Sequence, residues 1–324
     1  MDSIMHVARA KNSVSAADCR VETTVLGYYP NLGSGYFFTI MFGLCLIGTV
    51  VQGVRFKTWS YMGALTCGLI LETAGYVGRI LLHKNPCNEG AFELQICAII
   101  LAPTFICVSI YLTLKHAAAA LSPSTSRIRP VWYPRIFLPG DLSCLIVQAI
   151  GGGIAAAAGR TNRHLQESGN RAIIAGVVLQ VIVLAIFGIM GVDYLVRVSK
   201  YMKTDKARQT EGYRVWNDRR VRIFFSSVSV AYLSVLIRCI YRVAEMAGGW
   251  GNKIMQDEPS FLVLDSTLVL VTAALLTIFH PGIYFPRMIN GGTKIDGDQL
   301  IDGAEQERKN SPHDTSDEGP RSDV

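Results

Sequence analysis

Charge is scarce in this chain. Asp, Glu, Lys and Arg make up 17% of its 324 residues, against roughly 25% in soluble domains. The apolar residues, 50% of the total, gather into runs of about 20, the pattern of membrane spans rather than of one large soluble core. Other absences remove whole chemistries. No G-x-x-x-x-G-K-[ST] loop occurs, so nothing would cradle a nucleotide phosphate and drive work directly from ATP. No G-x-S-x-G nucleophile turn occurs either. Histidine is sparse, and His280 alone falls inside an expected span, which leaves a membrane zinc hydrolase without ligands. There is no C-x-x-C pair, and the seventh apolar run has no lysine for a retinal Schiff base. No enzyme, cofactor or metal site is expected, and no internal repeat is visible.

What is present is seven apolar runs, at 33–54, 60–82, 93–114, 137–158, 172–196, 222–246 and 261–285. They predict an all-α, polytopic membrane protein of seven transmembrane helices. Residues 1–32 read as a polar tail, without the apolar stretch of a secretory signal and without an N-x-[ST] acceptor. Residues 33–286 form the membrane domain. Residues 287–324, with Asp296, Asp298, Asp302, Glu305 and Glu307, read as a disordered acidic tail in which Ser311, Thr315 and Ser316 are open to phosphorylation.

Basic residues set the expected orientation. Arg55 and Lys57 lie in the first loop, and Lys115, Arg127, Arg129 and Arg135 in the third. The fifth carries Arg197, Lys200, Lys203, Lys206, Arg208, Arg214, Arg219 and Arg220. The alternate loops hold far fewer. By the positive-inside rule the N-terminus is outside and the C-terminus cytoplasmic. The net charge of +6 therefore reflects topology, and no nucleic-acid partner is expected. Cys19 and Cys87 both fall on the exterior side, where a disulfide between them would tie the tail to a loop. Cys45, Cys67, Cys97, Cys107, Cys144 and Cys239 fall in spans and read as small apolar residues.

The chemistry lies in the polar residues inside the spans. Arg238, Arg242 and Glu245 recur at i, i+4 and i+7 in the sixth run, so they share one helical face with Tyr241 beside them. A charge at the centre of a membrane helix costs about 2.5–3.5 kcal/mol on insertion scales, so other spans are expected to supply partners. Glu72 and Arg79 lie seven apart in the second run, Asp141 and Gln148 seven apart in the fourth. Gln180 sits mid-way along the fifth, Asp265 and His280 towards the ends of the seventh. Two roles stay open for this set: a substrate or proton path, or a brace of buried ion pairs. Near a span end, Arg79, Asp141, Asp265 and His280 could instead reach out to the headgroups. Pro103 removes a backbone donor, opens the carbonyl four residues earlier and is expected to kink its helix. Gly151-Gly152-Gly153 reads as a close-packing surface.

Taken in order, the motifs resemble the fungal RTA-like proteins, the lipid-translocating exporter family of seven-span membrane proteins. The resemblance runs from about Tyr28 to Tyr284. It rests on Glu72, Gly75-Tyr76 and Arg79, then Leu101-Ala102-Pro103 and Tyr111, then Asp141, Gln148 and Gly151-Gly152. Gly176 and Gln180 come next, then Arg238, Tyr241-Arg242 and Glu245, then Glu258, Asp265 and His280-Pro281-Gly282. The chain departs at Gly35, where the family usually has asparagine, and near Gly48-Thr49, where a histidine is often found. The resemblance implies export or flipping of amphipathic lipids such as sphingoid long-chain bases at the plasma membrane, with resistance to toxic lipophilic compounds. One branch is linked to porphyrin or haem movement. Membrane lipids and amphipathic small molecules would be the partners, with cytoplasmic partners open to the 197–221 loop and the tail. Glu72, Asp141, Glu245 or Asp265 would accept a cationic amine. The alternative is a seven-span sensor or regulator of lipid stress. The third run ends Tyr111-Leu112-Thr113-Leu114-Lys115-His116 without an Asp-Arg-Tyr triplet, and the seventh lacks Asn-Pro-x-x-Tyr, which argues against G-protein coupling.

Overall fold

The structure is a computed structural model that describes residues 26–121, 132–158, 163–204, 213, 216–248 and 252–284. The chain divides into Met1–Ile289, which holds every described element, and Asn290–Val324. Residues 1–25 with Cys19, and the acidic tail with Ser311, Thr315 and Ser316, lie outside the described residues.

All regular structure among the described residues is helical. α1 (Leu32–Arg55), α2 (Trp59–Lys84), α3 (Glu89–Leu121), α4 (Trp132–Ala158), α5 (Arg163–Tyr201) and α6 (Arg219–Ala247) each take up one apolar run. The seventh span, Glu258–Tyr284, is composite: α7 (Glu258–Phe261), a π-helical turn (Leu262–Thr267), α8 (Leu268–Ile278) and α9 (Pro281–Tyr284). All seven are long and apolar enough to cross a bilayer, and the chain is a multi-pass membrane protein. Several helices outrun the apolar runs that announced them. α5 begins at Arg163, and α2 takes in His83. Polarity marks where a span leaves the hydrocarbon, whereas backbone hydrogen bonding decides where its helix ends.

Consecutive helices pack side by side, and α8 closes the ring against α1. Thr49 and Thr277 hydroxyls hydrogen-bond at 3.0 Å across that seam, and Tyr61 donates to the Leu276 carbonyl at 2.8 Å. α3 is the most enclosed span and also touches α6. α6 displays the inside-out logic of the bundle. Its buried face carries Ser227, Ser234, Arg238, Arg242 and Glu245, while Val230, Leu233, Ile237 and Ile240 on the opposite face are exposed. Such a helix is stable only where the medium outside is apolar.

The glycine triplet divides. A Cβ on Gly151 would lie 2.7 Å from the Gly169 carbonyl oxygen and the Ile173 nitrogen, so α4 and α5 meet backbone to backbone there. Gly152 and Gly153 have nothing within 4 Å of that position. Cys87 is disulfide-bonded; its expected partner Cys19 lies outside the described residues. Cys45, Cys67, Cys97, Cys107, Cys144 and Cys239 are free. Gly151→Ala should therefore lower stability by about 1–3 kcal/mol through overpacking, while Gly152→Ala should be neutral or stabilise by about 0.5–1 kcal/mol. Thermal unfolding of both variants in one detergent checks the contrast.

Candidate functional site

The π turn of the seventh span carries Asp265 between two guanidiniums of α6. Its Oδ1 lies 2.8 Å from Arg238 Nε and accepts from Arg242 Nε at 3.0 Å. Its Oδ2 accepts from Arg242 Nη2 at 3.0 Å, so Arg242 holds the carboxylate in a two-pronged grip. Arg242 Nη1 donates to Glu245 Oε2 at 2.8 Å, one helical turn on. Arg238 Nη2 donates to the Ile99 carbonyl at 2.7 Å. That acceptor exists because of Pro103: without an N–H at 103, the carbonyl four residues earlier has no helical partner. α3 runs on through Pro103 as helix.

Towards the end of the bundle where α1 begins, a third guanidinium joins. Arg79 Nη2 donates to Glu258 Oε1 at 2.6 Å and to the Tyr28 hydroxyl at 3.1 Å. Glu258 Oε1 also accepts from the Asn31 backbone N–H at 2.8 Å. Asn31 itself caps α1, its side chain accepting from the Gly33 N–H at 2.8 Å. The Phe261 ring lies 4.6 Å from the Arg79 guanidinium and 5.5 Å from that of Arg242. Such contacts are worth about 0.5–2 kcal/mol each, more when desolvated. Burial pushes the Tyr28 phenol above its ordinary range despite the adjoining Arg79, so Tyr28 stays neutral and adds no charge.

Glu72 completes the cluster from α2. It is 1% exposed and within electrostatic reach of Arg238, Arg242 and Asp265. Its Oε1 has no hydrogen-bond partner among the described residues. The balance of charge is therefore uneven. Three guanidiniums, on Arg79, Arg238 and Arg242, meet four carboxylates, on Glu72, Glu245, Glu258 and Asp265. Carboxyl groups outnumber guanidiniums by one, and within this cluster Glu72 is the one without an ion pair among the described residues.

The other polar positions form a second group on α3, α4 and α5. Tyr111 donates to Asp141 Oδ2 at 2.7 Å. Gln148 Nε2 donates to Gln180 Oε1 at 3.2 Å, and Gln180 Nε2 to Thr104 Oγ1 at 3.0 Å. Two narrow cavities meet at Arg242. One, about 20 Å³, is lined by Tyr28, Arg79, Gln95, Arg242 and Glu245. The other, about 10 Å³, is lined by Gln148, Gln180, Arg238 and Arg242. Each has room for about one water. The Tyr241 hydroxyl is buried beside Glu245, with no hydrogen-bond partner among the described residues.

His280 stands apart. Its Nδ1 accepts from the Gly282 N–H at 3.1 Å, so the ring proton sits on Nε2 and donates to Thr58 Oγ1 at 3.3 Å. Phe56 stacks on the ring and Tyr61 meets its edge. This histidine pins the end of the seventh span to the start of α2, away from the charge cluster. Arg79, Asp141, Asp265 and His280 are each 1% exposed or less, so none reaches out to the headgroups. Each has a partner or a packed site within the bundle, which a position near a span end does not reveal. Thr104, Tyr28 and Phe261 carry no sequence signal as site residues. Glu258 and Tyr111 are visible in the sequence only as parts of the resemblance, although a pair of acidic residues seven apart, Glu258 and Asp265, is available as a pointer.

Asp265→Asn should strip two buried guanidiniums of their shared counter-charge and destabilise the fold by about 3–5 kcal/mol. Glu72→Gln removes the one carboxyl group of the cluster without an ion pair and should leave unfolding within about 1 kcal/mol of the parent or higher. Membrane abundance and thermal unfolding in detergent distinguish the two.

Comparison with known proteins gives the family. The family model for RTA1 like protein matches residues 65–288. A sphingoid long-chain base transporter RSB1 of Saccharomyces cerevisiae (strain Lalvin EC1118 / Prise de mousse) is 31% identical over 283 residues, covering 80% of this chain and 74% of the relative. Protoporphyrin uptake protein 1 of Saccharomyces cerevisiae (strain ATCC 204508 / S288c) is 27% identical over 226 residues, 69% of this chain and 68% of the relative. Protein RTA1 of the same strain is 22% identical over 303 residues, 86% of this chain and 91% of the relative. No solved structure matches the chain. With the family model spanning most of the membrane domain, the chain belongs to the RTA1-like protein family.

Proposed function

We propose that the protein moves cationic amphipathic lipids, sphingoid long-chain bases foremost, across or out of the plasma membrane, with its N-terminus outside. The observation that carries this reading is Glu72, the one carboxyl group of the charge cluster without an ion pair among the described residues. A long-chain base brings one protonated amine, hydroxyls and an apolar tail. Its amine would balance Glu72, its hydroxyls would meet Glu245, Tyr241 and Gln95, and its tail would stay in lipid. A proton would balance the same charge. Exchange of one cation for the other therefore couples cargo to a proton gradient without a nucleotide. The name of the RSB1 relative supports the cargo class, and the protoporphyrin relative widens it to other amphipaths. Resistance to toxic lipophilic compounds would result if the movement is outward.

A second reading, a lipid-responsive regulator without transport of its own, draws on one observation. The cavities beside Arg242, about 20 and 10 Å³, are too small for a lipid headgroup, so the bundle must open before anything crosses. Purified protein in sealed liposomes with a fluorescent long-chain base separates the readings. A transporter accelerates leaflet crossing, responds to an imposed pH gradient and loses tenfold or more of its rate in Glu72→Gln and Glu245→Gln while both variants stay folded. Folded protein that leaves the crossing rate unchanged under any gradient assigns the regulatory role.

A further inference from the structure

At the end of the bundle away from Glu258, an apolar cavity of about 180 Å³ lies between α3, α5 and α6. Ile110, Leu114, Phe187, Val192, Phe224 and Leu233 are among its walls. It is larger than a cavity of about 150 Å³ that admits benzene. Two of its lining residues, Val192 and Leu233, are 61% and 51% exposed on the bilayer-facing surface, so it is open to lipid between α5 and α6. Gly191 in its wall creates part of the room: a Cβ there would meet only Leu114 Cδ2, at 3.8 Å.

This cavity runs into a second one, of about 500 Å³. Leu195, Phe225 and Ser229 line both. The outer cavity is rimmed by Lys200, Lys203, Arg222 and Trp216. Neither lysine makes an ion pair among the described residues, and Arg222 donates to Asn217 Oδ1 at 3.2 Å. The one acid of the neighbouring α5 turn, Asp193, is paired with Arg197 at 2.9 Å. Three cations and an indole thus sit above a slot for a hydrocarbon chain. This is the reverse of the charge cluster, where carboxylates are in excess.

We infer that the α5–α6 groove binds an anionic phospholipid of the adjoining leaflet, one acyl chain in the apolar cavity and the phosphate against Lys200, Lys203 and Arg222. The charge complementarity selects an anionic headgroup, the lateral opening selects a ligand already in the bilayer, and Trp216 sits where indoles anchor at the interface. The site is independent of the proposed cargo, whose head is cationic.

The test uses the full chain in detergent, with lipid retention read by native mass spectrometry. Phosphatidylserine and phosphatidylcholine of the same acyl chains are compared, with glycerol phosphate as the headgroup alone. Phosphatidylserine should be retained well above phosphatidylcholine. Lys200→Gln with Lys203→Gln should weaken phosphatidylserine roughly tenfold or more and leave phosphatidylcholine unchanged. Gly191→Leu, which fills the slot and favours helix, should weaken the lipid while the exposed lysine pair keeps the test informative if that variant does not fold. Equal retention of both lipids, indifference to the lysine substitutions, or binding of glycerol phosphate as tight as that of the lipid overturns the proposal.

Discussion

Two guanidiniums buried on one face of a membrane helix need a counter-charge that their own helix does not fully supply. Asp265 meets that need for Arg238 and Arg242 together, and much of the bundle is arranged around the meeting. The seventh span departs from α-helix at Leu262–Thr267. The extra residue of a π turn rotates the rest of the span and leaves the local carbonyls underused. Ser266 and Thr267 hydroxyls take up the Phe261 and Leu262 carbonyls five residues back. α3 departs from helical bonding at Pro103, and the freed Ile99 carbonyl becomes the second acceptor for Arg238. Two helices thus give up regular bonding at the level where α6 carries its charges.

The same constraint gives the protein a direction. The ion-paired charge cluster lies between the middle of the bundle and the end where α1 begins, with carboxyl groups outnumbering guanidiniums. The other end offers an apolar slot under a basic rim. On the proposals above, a cationic head would be drawn to the first and an anionic head to the second, and a translocase whose cargo and surrounding lipid carry opposite head charges would have reason to keep them at separate places. The His280 junction with Thr58 closes the ring of helices at that second end and leaves the charge cluster to α2, α6 and the seventh span.

Much of this is legible from residue spacing. Seven apolar runs match seven helices, the i, i+4, i+7 pattern puts Arg238, Arg242 and Glu245 on one inner face, and Pro103 points to an open carbonyl. The partners are harder to see. Glu72 and Arg79 share a face of α2, yet Arg79 pairs with Glu258, because a separation of seven residues, about 10 Å along a helix, is too long for a direct bond. A span that starts at residue 261 makes Asp265 an edge residue. The helix begins at Glu258, which sets Asp265 two turns in. A π turn has no local signature, so its effect on register cannot be read. Gly151 and Gly152 look alike in sequence and differ in what they face, since only the helix rotation decides which one meets α5.

If the buried cluster has room for one more positive charge, and Glu72 is where that charge is held, the purified protein must tell an amine from an alcohol. Equilibrium binding of a long-chain amine and of a long-chain alcohol of equal length addresses this directly. The amine should bind at least tenfold more tightly than the alcohol, and Glu72→Gln should erase the difference. Equal affinity for amine and alcohol in the parent protein, or a preference for the amine that survives in Glu72→Gln, would contradict it.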